Sequence, residues 1–133
     1  FINIGTNDLS DPAISMNQMI ANYDRILSIV ETKLPDTEIY MMAYYPINYE
    51  AATEEMKPCL RIRTNEKIAA ANKAVEKLAE KHHAKYIDIN DPLKDGLGNL
   101  KAEYTVEGMH IKEEGYRIIF DLFMGYAKEP HWK

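Results

Sequence analysis

Ile39-Tyr40-Met41-Met42-Ala43-Tyr44-Tyr45, closed by Pro46, is the stretch that decides the fold. No polar residue interrupts it. A strand with one wet face alternates apolar and polar side chains. An unbroken apolar run instead reads as a strand buried on both faces, the habit of a parallel sheet with helices above and below. Upstream, Met16, Met19, Ile20, Tyr23, Ile26, Leu27, Val30 and Leu34 recur at steps of three and four, which predicts a helix with this stripe turned to the core. Ser15 and Gln18 have capping-box spacing at its start, and Pro35 stops it. Downstream, residues 47–60 read as a polar loop with room for a short helical turn. Helix signals resume near Thr64, with Ile68, Ala71, Val75 and Leu78 inward. Tyr86-Ile87-Asp88-Ile89 is a further strand, and Phe1-Ile2-Asn3-Ile4 opens the chain as another. Asn90 to Leu100 carries Asp-Pro, Asp-Gly and Gly-Asn turn chemistry. A last helix is predicted over Glu113 to Lys128, with Tyr116, Ile119, Phe120 and Phe123 on its buried side. The order strand, helix, strand, helix, strand, loop, helix is that of βαβ units, so the fold class is α/β with a parallel sheet.

The chain of 133 residues is sized for one domain, residues 1–133, and is 46% hydrophobic and 28% charged, an ordinary globular balance. A net charge of −5 lacks the basic stripe that nucleic-acid binding needs. Its apolar runs fall far short of the ~20 residues of a membrane span. The one cysteine, Cys59, excludes an internal disulfide and reads as a small semi-buried apolar residue; the compartment stays open. No set of His, Cys, Asp and Glu has zinc-like spacing, and no Gly-rich phosphate cradle is present. His82 and His83 end a Lys/Glu-rich helix, where a cation suits the dipole, and His131 beside Trp132 reads as surface. The chain opens in mid-strand with no lead-in, so residue 1 is expected to be a cut end.

In open parallel sheets function gathers in loops at the carboxyl ends of strands. Three such places follow: Gly5 to Asp8, Tyr45 to Tyr49, and the long loop from Asn90 to His110. In the first, Gly allows a tight turn and the Asn7 side-chain amide is suited to donate to an oxyanion; a plain Asx turn is the alternative. In the last, Glu107 stands three residues before His110. A turn there returns the carboxylate to Nδ1 of the imidazole, fixing the tautomer and leaving Nε2 as a base; a capping histidine with a solvated glutamate is the alternative. Tyr44, Tyr45, Pro46 and Ile47 either line the site or are buried packing.

Together the two motifs are more specific than either alone. Phe1-Ile2-Asn3-Ile4-Gly5-Thr6-Asn7-Asp8-Leu9 resembles the third block of the SGNH/GDSL hydrolases. Glu107-Gly108-Met109-His110-Ile111, with Glu114-Gly115-Tyr116 after it, resembles their fifth. The resemblance covers essentially the whole chain, against the latter two-thirds of a typical member. It implies a three-layer, flavodoxin-like SGNH hydrolase fold, incomplete at its N-terminus. It also implies hydrolysis of a carboxylic ester through an acyl-serine, with no cofactor or metal. By the same resemblance Asn7 donates to the oxyanion, His110 is the general base and Glu107 the triad carboxylate. The family usually has Asp at that last position, so the loop must absorb one methylene. The family's Gly-Asp-Ser block is absent. Ser10, Ser15 and Ser28 are the only serines, and none sits in a nucleophile elbow. The expected substrate is a small ester, either an acetylated carbohydrate or a short-acyl or lysolipid ester. The missing N-terminal segment, or a second copy of the chain, is expected to cover the Phe1–Ile4 strand. The rival reading is a catalytically inactive SGNH-like binding module.

Overall fold

The computed structural model describes residues 1–128; His131 and Trp132 lie outside them. Helix α1 (Met16–Lys33) is followed by strand β1 (Tyr40–Met42), then α2 (Lys57–Ile62), α3 (Asn65–Lys81), β2 (Lys85–Ile87) and α4 (Glu113–Ala127). β1 and β2 pair in parallel, with Tyr40 opposite Lys85 and Met42 opposite Ile87. Odd-numbered residues of this segment serve that edge: Ile39 O accepts from Lys85 N and Ala43 N donates to Ile87 O. Even-numbered residues serve the other edge, where Tyr40 O accepts from Ile2 N and Met42 N donates to Ile2 O. The opening segment thus lies parallel to β1, with Ile2 bridged to Met41. The apolar run is the middle of the sheet, which is why it has no polar face.

The regular strands are shorter than the sequence suggests, and side chains explain where they stop. Past Ala43 the chain leaves β2, and the amides of α3 take over as backbone substitutes. Asn72 accepts from Tyr44 N at 2.7 Å and donates to Tyr44 O at 3.1 Å; Asn65, two helical turns earlier, does the same for Ile47 at 2.8 and 3.0 Å. Asn90 adds a second donor to Tyr44 O at 2.9 Å. Buried backbone groups are expensive to leave unpaired, so these asparagines hold the strand's carboxyl end in a fixed path without a partner strand.

Two apolar layers flank the sheet. On one face Met41 packs with Met19, Tyr23 and Leu27 of α1 and Ile68, Ala71, Val75 and Leu78 of α3. On the other, Tyr40, Met42, Ile87 and Ile89 pack with Leu93, Leu100, Ile111 and Ile119. Each fully buried aliphatic side chain contributes roughly 1.5–3 kcal/mol. Helix α1 starts as expected, Ser15 Oγ accepting from Gln18 N, and α3 is capped in the same way by Thr64 Oγ1, which accepts from Lys67 N.

Two stripes need correction. On α1, Ile26 and Leu34 are exposed, and the buried set is Met19, Tyr23 and Leu27. On α4, Tyr116 and Phe120 are 54% and 61% exposed, while Gly115, Ile119, Leu122 and Phe123 face the sheet. Tyr44, Pro46 and Ile47 are buried packing, with Tyr45 half-buried.

Candidate active site

Both motif loops rest at the carboxyl-terminal edge of the sheet. The first follows Ile4. Gly5 has φ +92, and a Cβ there would stand 2.8 Å from the Tyr44 hydroxyl. That hydroxyl donates to Ile4 O, tying the opening segment to the end of β1. Burial pushes the Tyr44 phenol up to about 12, with the nearby Asp8 carboxylate adding to the rise, so it remains a donor. Asn7 then caps a short 3-10 turn, Asp8–Ser10, through its backbone alone: Ser10 N donates to Asn7 O, and the Asn7 side chain makes no capping hydrogen bond. It is exposed and makes no hydrogen bond among the described residues, which is not the Asx turn of the alternative reading.

The second loop is a tight reversal between Thr105 and Ile111, which bridge antiparallel. Thr105 Oγ1 closes it from inside, donating to His110 O at 2.9 Å and accepting from Gly108 N at 2.8 Å. Val106 N also donates to His110 O. Gly108 has φ +98 and lies against Asn48 and Ala52, its carbonyl accepting from Asn48 N at 2.8 Å. Asn48 is itself buried, donating to Leu100 O and accepting from Ala51 N.

Within this frame Glu107 Oε1 gathers three donors. His110 N donates at 2.8 Å, Met109 N at 3.2 Å, and His110 Nδ1 lies at 2.9 Å. Burial works to raise the Glu107 carboxyl, but the backbone and ring hydrogen bonds of His110, its charge and the Met109 amide outweigh it. The carboxyl is held below its ordinary value. The carboxylate is therefore ionised at neutral pH and fixes Nδ1 as the protonated ring nitrogen. Nε2 has no hydrogen-bond partner among the described residues, and the side chain is 68% exposed. Glu107 is at once the cap of its own turn and the orienter of the imidazole; its side chain is 16% exposed, so the alternative of a capping histidine with a solvated glutamate is not the geometry found. No hydrogen bond joins Asn7 to Glu107 or His110.

Three supports were missed by sequence reasoning. Thr105 and Asn48 hold the base loop from below, and Arg63 touches it from behind, Nη1 donating to Met109 Sδ at 3.4 Å. Thr105 had a faint signal, three residues before a glycine in a loop; Asn48 and Arg63 had none. Ser15 caps α1, and Ser28 Oγ is spent on Asp24 O.

The sequence matches the model of the GDSL-like Lipase/Acylhydrolase family over residues 1–118. This chain belongs to that family. A Streptococcus pneumonia protein provisionally described as a platelet activating factor superposes with a TM-score of 0.81 at 33% identity, over 92% of this chain and 56% of its own. A GDSL-like lipase from Bacteroides thetaiotaomicron superposes at 0.76 with 21% identity, over 96% and 60%. The GDSL esterase/lipase WDL1 of Oryza sativa subsp. japonica is 23% identical over 123 residues, 91% of this chain and 47% of its own length. The chain thus spans roughly half of these relatives. The GDSL neighbours and the parallel sheet flanked by helices agree with the expected SGNH-type α/β fold.

Proposed function

We propose that these residues carry the base and oxyanion side of a serine esterase or acylhydrolase, and that the nucleophilic serine lies outside the 133 residues. The observation that carries this reading is the His110 imidazole held at Nδ1 by Glu107, with Nε2 open at the carboxyl edge of the sheet. In the reaction a serine hydroxyl attacks the ester carbonyl carbon while His110 Nε2 takes its proton. The carbonyl oxygen becomes an oxyanion, and the Asn7 amide donates to it. His110 then returns the proton to the leaving alcohol, and an acyl-serine remains. Water attacks the acyl carbon with His110 again as base, releasing the acid. Glu107 holds the imidazole and offsets its positive charge throughout. The substrate is a small carboxylic ester, either an acetylated carbohydrate or a short-acyl or lysolipid ester.

The opening segment supports the same reading. Among the described residues no strand pairs beyond Ile2, and apolar side chains stand exposed on both flanking helices: Ile26 and Ile29 on α1, Tyr116 and Phe120 on α4. A bare edge between apolar helix faces is a pairing surface, and a segment carrying the serine is its fitting occupant.

The test is the complete gene product that contains residues 1–133. It should hydrolyse p-nitrophenyl acetate and label with a fluorophosphonate on one serine upstream of Phe1. Glu107→Gln should lower kcat by about 10²–10⁴-fold and His110→Ala by more. Residues 1–133 alone should neither hydrolyse the ester nor take the label. A folded complete protein that neither turns over nor labels would mean a binding module instead.

A further inference from the structure

Arg63 is buried to 4% exposure, yet among the described residues no carboxylate pairs with it. Its Nη1 meets Met109 Sδ, the Tyr44 phenol and the Cys59 thiol lie within electrostatic reach, and its Nε has no hydrogen-bond partner among the described residues. Its backbone N–H only completes α2, donating to Cys59 O at 3.0 Å. A buried guanidinium without a counter-ion costs several kcal/mol, and a Met or Leu of similar length would fill the same space at no such cost. Simple packing therefore does not account for it.

Its position suggests a use. On one side it touches Met109, next to His110 in the base loop, whose N–H also donates to Glu107. Its charge also reaches the Tyr44 phenol, whose hydroxyl is fixed to Ile4 O, directly before the Gly5–Asn7 turn. Arg63 is thus bonded to the base loop through Met109 and lies within electrostatic reach of the side chain that anchors the other loop.

We propose that Arg63 is the positioning residue of this site, and that its positive charge, beyond its bulk, serves the reaction. This rests on the esterase reading above. Its bond to Met109 Sδ holds the base loop from behind. Its charge stands buried behind that loop, in surroundings that screen it less than water does, and so favours the anionic tetrahedral intermediate over the neutral ester. The unpaired cation is a stability cost held for function.

The experiment compares Arg63→Met and Arg63→Lys in the complete protein. Arg63→Met should lower kcat about tenfold or more with KM within about twofold, because the charge acts on the transition state. Its Tm should stay level or rise, since the uncompensated cation is gone. Arg63→Lys should recover most of the lost kcat by restoring the charge. An Arg63→Met protein that melts earlier and loses kcat and KM together would make Arg63 a fold support and overturn the proposal. So would an active Arg63→Met protein with wild-type kcat, or an Arg63→Lys protein as slow as Arg63→Met. A wild type inert to esters and to fluorophosphonate would overturn the esterase reading and this proposal with it.

Discussion

Replacing Gly108 by Ala perturbs the base loop without touching either reacting side chain. A Cβ at this position would stand 2.5 Å from Asn48 O, 2.9 Å from Ala52 Cβ and 3.0 Å from Ala52 Cα. Two of those atoms are backbone and cannot rotate away. The backbone also has φ +98, a region that costs an L side chain about 1–2 kcal/mol. Relieving the overlap means lifting the loop from Asn48, which costs a further 1–3 kcal/mol, roughly, as overpacking does. It would also stretch the 2.8 Å bond from Asn48 N to Gly108 O. The sum is about 2–5 kcal/mol, or roughly 5–15 °C in Tm for a protein of the relatives' size. Glu107 and His110 ride on the same reversal, so kcat should fall at least tenfold, since a misplacement of about 1 Å can cost 10²-fold. Gly96 is the control: a Cβ there meets nothing within 4 Å and its φ is not positive, so Gly96→Ala should stay within about 0.5 kcal/mol of wild type. Differential scanning calorimetry of both variants, with ester turnover, decides. A Gly108→Ala protein melting with wild type and turning over normally would refute the reasoning, because the contact on Asn48 would then not be fixing the loop.

Other expectations follow from single contacts. Asn7→Ala should lower kcat by about 10²–10³-fold with KM little changed, as loss of one oxyanion donor does; equal kcat would remove Asn7 from the site. His82, nearly buried, meets Asp24 Oδ1 through Nε2 at 2.5 Å and Glu31 Oε2 through Nδ1 at 2.9 Å, joining the end of α3 to α1. Burial works against its charged form, but the hydrogen bonds and charges of Asp24 and Glu31 prevail, so its pKa is raised above 6.5. A raised folded-state pKa stabilises fully below the unfolded value and is lost as pH rises through the folded one. The Tm should therefore decline through that interval above pH 6.5, and His82→Ala should flatten the decline; an unchanged slope in His82→Ala would count against the pair. Asn72→Leu removes both bonds to the Tyr44 backbone and should cost about 2–4 kcal/mol in chemical denaturation; a cost under 0.5 kcal/mol would show that the strand end holds itself.

What was legible in the sequence is what depends on period. The apolar run at residues 39–45, the stripe from Ile68 to Leu78 and the Ser15 cap state their environments through spacing, and the structure agrees with them. The pairing of Glu107 with His110 was also legible, because three residues are enough for a turn to close. The supports of that turn were not. Asn48 and Arg63 are 59 and 44 residues from Glu107, and they meet the loop only because β1 and α2 end beneath it. The asparagines of α3 were hidden for another reason. Asn65 and Asn72 look like polar positions on an amphipathic helix, and only the departing strand turns them into backbone partners.

The disagreement on α4 has the same root and says something about the fold. Tyr116, Ile119, Phe120 and Phe123 were placed on one buried side, yet only Ile119 and Phe123 face the described sheet. The stripe is wider than one contact needs. Ile119 and Leu122 fill the space over Met42 and Ile87, while Tyr116 and Phe120 lie a fraction of a turn away with Glu113, Arg117 and Asp121 beside them. Phe1, stacked on Tyr40 and edge-on to Phe123, marks where the two faces meet. On α1, Ile26 and Ile29 are exposed in the same manner on the opposite side of the sheet. A helix that packs on one neighbour carries one apolar stripe; a helix that bridges two neighbours carries a broader one. Both flanking helices have the broader pattern, with Ile26 and Ile29 exposed on α1 and Tyr116 and Phe120 on α4. Surplus apolar residues of this kind are what a further neighbour covers, and the proposed serine-bearing segment would be such a neighbour.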